Sequence, residues 1–404
     1  MNEKYQKYTK EFDLKAFTKG QVLKAGLQSA FDLSFPVAIW RLPHSNEVHF
    51  LSSTDKAIGL ERVDFQELDK GFICSKFDTK KGRYFLPKDI YYSFDFDEVV
   101  SEFADKKGVS DFKTRMVENL SQSIERPTYY TSREQYHSAS NDYIELVAHA
   151  IDEIKKGSFE KVVPARSKKI DLSDQFDVIN LFLRLCETYE NAFISFISLP
   201  KEGSWMGASP EILINTQGPI FTTVSLAGTR KWQEDLPISE TSWNQKEIEE
   251  QAMVSRYIIN CFKKIRLREF DEKGPKTAKA GNLLHLKTIF QVNMEETNFK
   301  ELPTVMLDLL HPTSAVAGMP KEASIDFLKR HEGLDRSFYA GYLGPVHMQN
   351  ATQLFVNLRC MQLFEKNALL YAGAGVTEDS HPEKEYLETE MKCNTLLNKI
   401  IHKI

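Results

Sequence analysis

Between residues 141 and 156 apolar side chains recur at helical spacing, with Ile144, Val147, Ala148, Ile151 and Ile154 on one face and Gly157 ending the run. A strand is expected directly afterwards, at residues 161–163. Residues 192–199 read AFISFISL, an alternation of apolar and small polar residues that predicts a strand with one dry face. Residues 211–215 and 221–226 predict further strands, with Gly207 and Gly218 at the turns between them, and such short spacings favour antiparallel hairpins. Two long helices, at residues 245–267 and 381–401, bracket strands at 354–360 and 369–371. Locally paired strands interleaved with helices predict a large α+β fold.

Residues 1–130 mix aromatic strand-like pieces (36–42, 48–52, 84–86) with charged turns and carry no chemical motif. They are read as scaffold within the same fold, and residues 131–404 as the region that carries the chemistry. No internal repeat or low-complexity tract interrupts either part.

Composition narrows the function classes. The 404 residues, 42% hydrophobic and 27% charged, describe a chain that folds by ordinary burial. Its 57 acidic and 52 basic residues are mixed along the whole length and leave a net charge of −5, so no basic face for nucleic acid is expected. The one basic cluster, Lys263, Lys264, Arg266 and Arg268, reads as a solvated face. Five separated cysteines without a Cys-x-x-Cys pair suit a reducing compartment. The opening MNEKYQKYTKEFDLKAF is charged, and no run approaches the roughly 18 apolar residues of a membrane span. A cytoplasmic protein without a membrane partner is expected, and a monomer, since no self-complementary apolar helix face stands out.

The strongest chemical signal is a matched pair of carboxylate arrays on two helices far apart in sequence. In NQKEIEEQ, Glu247 and Glu250 share a helical face; in PEKEYLETEMK, Glu385 and Glu388 repeat the spacing, with Lys392 one turn further on. Ser380 with Glu383 reads as a capping box and Pro382 as a first-turn proline, so a helix should begin there. Four carboxylates converging from two helices would repel one another without a cation, and hard oxygen ligands suit magnesium. Taken alone, the same glutamates also read as solvated helix faces.

Other positions are suggestive in the same way. YAGAGV places Gly373 and Gly375 around Ala374 after an apolar strand, a turn whose amides could approach an anion. Arg359, in the apolar run LFVNLRCMQL, is either an edge-strand arginine or an inward guanidinium that needs a carboxylate. Lys161 is either a solvated strand-end lysine or, beside a metal site, an amine able to act as a base. Glu211, at a strand entrance after Ser209 and Pro210, could stay protonated if buried and act as an acid.

These stretches together resemble the chorismate-utilising enzymes, which comprise isochorismate, salicylate, anthranilate and aminodeoxychorismate synthases. The matching blocks are KVVPAR at Lys161, GASPEIL at Gly207, SLAGTR at Ser225, KEIEEQ at Lys246, LLHLKT at Leu283, LHPTSAVAGMP at Leu310, SFYAGYLG at Ser337, NLRC at Asn357, then YAGAGV and ETEMK. They keep the family's order across about residues 140–400. The resemblance implies large antiparallel sheets in an orthogonal sandwich flanked by helices, with the site in a cleft between them. It implies Glu250 and Glu388 as direct Mg2+ ligands, and Glu247 and Glu385 as carboxylates that reach the ion through water. Gly373 and Gly375 would cradle the ring carboxylate of chorismate with Lys392 nearby, Arg359 and Tyr339 would hold the enolpyruvyl carboxylate, and Gly228 and His285 would line the cleft.

Within the family, Lys161 and Glu211 match the base and acid of isochorismate synthases. Aminodeoxychorismate synthases typically carry lysine where Ala227 stands, and anthranilate synthases glutamine where Lys161 stands. The lyase relatives tend to have threonine at Ala315. The resemblance therefore implies isomerisation of chorismate to isochorismate. The rival readings are a salicylate synthase that goes on to expel pyruvate, and a non-catalytic protein that only binds chorismate. One departure is Gln251, where the family commonly has histidine.

Overall fold

The computed structural model describes residues 14–96, 98–133, 140–232, 237–280 and 283–401. Eight α-helices lie among them: α1 (Lys19–Asp32), α2 (Lys107–Ser121), α3 (Ser140–Lys155), α4 (Val178–Thr188), α5 (Gln245–Lys264), α6 (Leu302–Leu310), α7 (Lys321–His331) and α8 (Pro382–Ile401). The strands form two nine-stranded sheets and one two-stranded sheet. The first sheet runs across Glu98–Phe103, Ile90–Asp95, Val48–Ser52, Val37–Arg41, Phe193–Leu199, Gly203–Ser209, Cys360–Leu363, Asn367–Gly373 and Ala165–Asp171. The second runs across Asp271–Ala280, Leu283–Asn293, Ile220–Lys231, Ile212–Gln217, Ala351–Val356, Tyr342–Val346, Gly71–Ser75, Arg83–Pro87 and Ile58–Gly59. Lys161–Val162 pairs with Gly318–Met319 in the small sheet. This is the α+β architecture expected, and the segment before residue 130 supplies strands to both large sheets.

Burial explains the layering. The main core lies between the two sheets, where Trp40, Phe72, Phe193, Trp205, Phe355 and Tyr371 meet; Phe193 of the first sheet stacks on Phe355 of the second with ring centroids 4.1 Å apart. A second core packs the outer face of the first sheet against α1, α2, α4 and α8 through Leu23, Phe112, Phe182 and Leu396. Strand Phe193–Leu199 is consequently buried on both faces, not one. Its serines are small enough for that position, and Ser198 accepts the Tyr130 N–H at 3.1 Å.

Helix boundaries follow local chemistry. Helix α3 gives way to Gly157 at φ 80°, a left-handed residue that glycine adopts without strain. Asn244 and Glu247 form a capping box at the start of α5. Helix α8 begins at Pro382 as expected, but Ser380 does not form the expected box: its Oγ accepts the Thr377 N–H at 3.1 Å and its side chain bonds Glu385. Gly207 is not in a turn; it lies inside strand Gly203–Ser209, where an added Cβ would come within 2.9 Å of Cys360 Cβ. Lys263, Lys264, Arg266 and Arg268 are exposed, as a solvated basic face should be.

The largest departure concerns residues 354–360, expected as one strand. The chain leaves the second sheet at Val356 and enters the first at Cys360. Arg359 lies in this crossover at φ 48°, held by a bond from Ala208 N to its carbonyl, and is not a strand residue. The apolar residues on both sides are buried in different sheets, which is why the run looks continuous.

Candidate active site

Lys161 and Glu211 are both buried and near enough that the charge of the first acts on the carboxyl of the second. Lys161 is fully buried at the start of the two-stranded sheet, where its carbonyl accepts Ser324 Oγ at 2.9 Å, and its Nζ donates to Glu250 Oε1 at 2.8 Å. Glu211 is 5% exposed, and burial pushes its carboxyl from the ordinary 4.5 up to about 7, against the pull of a Thr313 hydroxyl and of the Lys161, Arg359 and Lys392 charges. Thr313 Oγ1 donates to Glu211 Oε1 at 3.4 Å. A carboxyl that changes protonation near neutral pH can deliver a proton there.

The two carboxylate helices converge as the spacing suggested. Lys246 of α5 bridges to Glu385 of α8 at 2.5 Å. Lys392 Nζ bonds Glu388 Oε1 at 2.7 Å and the Gly373 carbonyl at 2.8 Å, which ties α8 to the glycine turn. Glu250 Oε2 accepts the Gly228 N–H at 3.3 Å. Burial opposes ionisation of Glu250, yet the charges of Lys161, Lys392 and Lys246 hold its carboxyl below the ordinary value. Burial raises that of Glu385, and Glu388 raises it further. Glu247 serves its own helix: Oε2 accepts Asn244 N at 2.6 Å and Oε1 takes Arg230 Nε at 3.4 Å.

Each of these glutamates thus has a basic partner, and among the described residues no three acidic, histidine or cysteine side chains already stand as a metal-ligating cluster. Lys246 is the cation that reaches from α5 into this group of carboxylates. Burial disfavours its charge, but Glu385, Glu388 and Glu250 together hold its amine above the ordinary value. Its only sequence signal was a lysine beside Glu247 at a helix start.

The glycines are where close approach demands them. A Cβ on Gly375 would lie 2.7 Å from Glu250 Oε1 and 3.0 Å from Lys161 Cε. Gly228 combines φ 69° with only 3.1 Å to Glu247 Cβ. The Gly228 carbonyl can only accept, so His285 Nδ1 donates to it across 2.6 Å and Nε2 is left as an acceptor. That Nε2 is buried and has no partner among the described residues. Burial first, and the Arg359 charge second, depress the imidazole to about 3, so it is neutral.

Arg359 makes no hydrogen bond or ion pair through its side chain among the described residues; burial lowers its guanidinium while Tyr339, Glu388 and Glu211 act on it electrostatically. A half-buried guanidinium without a protein counter-charge is free to bind an anion. Tyr339 is stacked on Tyr371 with centroids 5.5 Å apart, and its hydroxyl lies 3.0 Å from where a Gly373 Cβ would be. Gln251, in place of the family's histidine, donates to Ser225 Oγ at 2.7 Å and Thr288 Oγ1 at 2.9 Å and so fastens α5 to the second sheet.

A family model described as chorismate binding enzyme matches residues 81–401. The chain belongs to the chorismate-binding enzyme family. It is 29% identical over 259 residues to isochorismate synthase EntC of Escherichia coli K12, a match covering 63% of this chain and 66% of that protein. It is 27% identical over 268 residues to isochorismate synthase MenF of Bacillus subtilis, covering 64% and 55%. The chain therefore spans just under two-thirds of the first relative and about half of the second. The solved structure of MenF, the menaquinone-specific isochorismate synthase from Escherichia coli, superposes with a TM-score of 0.74 at 20% identity, covering 98% of this chain and 97% of that one. The fold is shared along nearly the whole length.

Proposed function

We propose that the protein is a magnesium-dependent isochorismate synthase that moves the hydroxyl of chorismate from carbon 4 to carbon 2. The observation that carries this reading is the buried acid and amine: Glu211, with its carboxyl at about 7, and Lys161, whose charge acts on it together with that of the unpartnered Arg359 guanidinium. The isochorismate synthases among its relatives support it.

The substrate is a dianion. Arg359 with Tyr339 suits the enolpyruvyl carboxylate, and the Gly373–Gly375 turn beside Lys392 suits the ring carboxylate. Lys161 takes a proton from water as its oxygen bonds to carbon 2. The two ring double bonds each move one place, the bond from carbon 4 to oxygen breaks, and Glu211 protonates the departing hydroxyl, so that water leaves. Hydroxide is a poor leaving group and water a poor nucleophile, and both defects are met by this acid and base pair. Lys161 Nζ is committed to Glu250 Oε1 in this structure, and redirecting that carboxylate would free the nitrogen to face the attacking water.

Magnesium fits the donor set. Lys246 is attracted by three carboxylates of the two helices at once, an environment that suits a hard divalent cation in its place. Glu250 and Glu388 would hold the ion, with Glu247 and Glu385 behind them. It would supply neutralisation and orientation of the ring carboxylate.

Incubating the purified protein with chorismate and magnesium and separating the products tests the assignment. Isochorismate alone is expected. Salicylate with pyruvate would replace the reading by a lyase, and no product would replace it by a binding protein. Lys161→Gln should abolish turnover with the fold retained; an active variant rejects Lys161 as base.

A further inference from the structure

The cleft's acid and base sit on separate backbone segments, and one buried ion pair outside the cleft connects them. Arg336 and Glu332 have side chains only 3% exposed each. Arg336 Nε donates to Glu332 Oε1 and Nη2 to Oε2, both at 2.6 Å. Their remaining bonding capacity goes to backbone. Arg336 Nη2 also donates to the Val163 carbonyl at 2.7 Å, Nη1 donates to the Val316 carbonyl at 2.8 Å, and Glu332 Oε2 accepts the Ala165 N–H at 2.9 Å.

These three backbone groups are significant by position. Val163 and Ala165 flank Pro164, where the chain leaves the two-stranded sheet that carries Lys161 and enters the first large sheet. The ion pair thus bonds the backbone on both sides of this junction, at the Val163 carbonyl and at the Ala165 N–H. Val316 belongs to the loop that returns to Thr313: the Val316 and Ala317 N–H groups bond the Thr313 carbonyl at 3.1 and 2.9 Å, and the Thr313 hydroxyl donates to Glu211. The same guanidinium contacts the faces of Phe77 at 4.5 Å and Tyr339 at 5.9 Å.

The geometry points to Glu332 and Arg336 as positioning residues: one planar guanidinium, locked by its carboxylate, sets the separation between the segment bearing Lys161 and the segment that orients Glu211. Neither residue touches the reacting atoms. The inference rests on the proposed acid and base roles and adds what holds them in register. Fork geometry is essential to it, because a lysine ammonium is a point charge on a flexible stem and cannot hold two carbonyls and a carboxylate in one plane. Stability alone does not require the pair, since a buried ion pair can often be replaced by uncharged residues of similar volume without loss of folding.

The test uses the full chain in three forms: Arg336→Lys, Glu332→Gln, and Glu332→Gln combined with Arg336→Met, which removes both charges together and guards against a misfolded single variant. Steady-state kinetics with chorismate and magnesium, circular dichroism and thermal melting are measured for each. Folded variants are expected to lose at least about 10-fold in kcat while KM for chorismate stays within about 2-fold, since misplacement of the reacting groups affects the transition state more than binding. The alkaline limb of the kcat profile should also move upward as the Thr313 bond to Glu211 loosens. Folded variants with wild-type kcat and an unmoved limb overturn the inference. An inactive wild-type protein sinks the functional reading and this one with it; an active wild type with unimpaired variants sinks this one alone.

Discussion

Replacing Glu211 by glutamine should separate the energetic cost of the buried carboxyl from its chemical use. The carboxyl is at about 7 in the folded protein against an ordinary 4.5. Between those values the folded chain holds a proton that the unfolded chain has released, so the unfolded state binds fewer protons and stability falls as pH rises. Linkage puts the resulting penalty at about 1.5 kcal/mol at pH 5.5 and about 3.5 kcal/mol at pH 8. Glutamine keeps the shape and can still accept from Thr313, but carries no charge at either pH. The stability of Glu211→Gln relative to wild type should therefore improve by about 2 kcal/mol between pH 5.5 and pH 8. Urea denaturation of both proteins at the two pH values, followed by tryptophan fluorescence, measures this difference. Product formation from chorismate should be abolished in the variant, and in the wild type kcat/KM should fall as pH rises through about 7, where the acid ionises. A stability difference that stays constant with pH would refute the reasoning about burial, and residual turnover would refute the role as acid.

Three further outcomes are expected. Glu250→Gln and Glu388→Gln should raise the magnesium concentration for half-maximal activity by at least about 10-fold in metal-stripped protein, and an unchanged requirement counts against both as ligands. Gly375→Ala should displace the Glu250 carboxylate from Lys161 and lower kcat by about 10- to 100-fold with little change in melting temperature, because the added Cβ meets the flexible ends of two side chains and not backbone; a wild-type kcat would mean that this contact is unimportant. Arg359→Lys should raise KM for chorismate by about 10-fold or more through loss of two-point carboxylate binding, and an unaltered KM would remove Arg359 from the substrate site.

Much of the site was legible because helical periodicity is local. The pairs Glu247 and Glu250, and Glu385 and Glu388, were placed correctly on helices by their spacing and by Pro382, and the amphipathic run before Gly157 gave α3 almost to the residue. Arg359 reads as a strand residue because hydrophobicity reports burial and not which sheet provides it. The break was signalled only by Asn357, whose buried amide donates to the Phe338 carbonyl at 3.0 Å. Strand Phe193–Leu199 misled in the opposite sense, since its serines look like a wet face while bonding inside a layered core. Lys246 and Arg336 could not be found by local pattern. The first meets a carboxylate 139 residues away, and the second acts on backbone up to 173 residues away.

The way the two large sheets are assembled bears on how the chain is made. Val37 faces Ser198 and Gly71 faces Val346 across neighbouring strands. As the chain grows on a ribosome, its early segments must wait, with apolar surface uncovered, for partners synthesised much later. Cutting the polypeptide near residue 130 would leave two fragments with torn edges and no independent folding unit, so complementation between co-expressed halves should depend strongly on temperature and on chaperone supply.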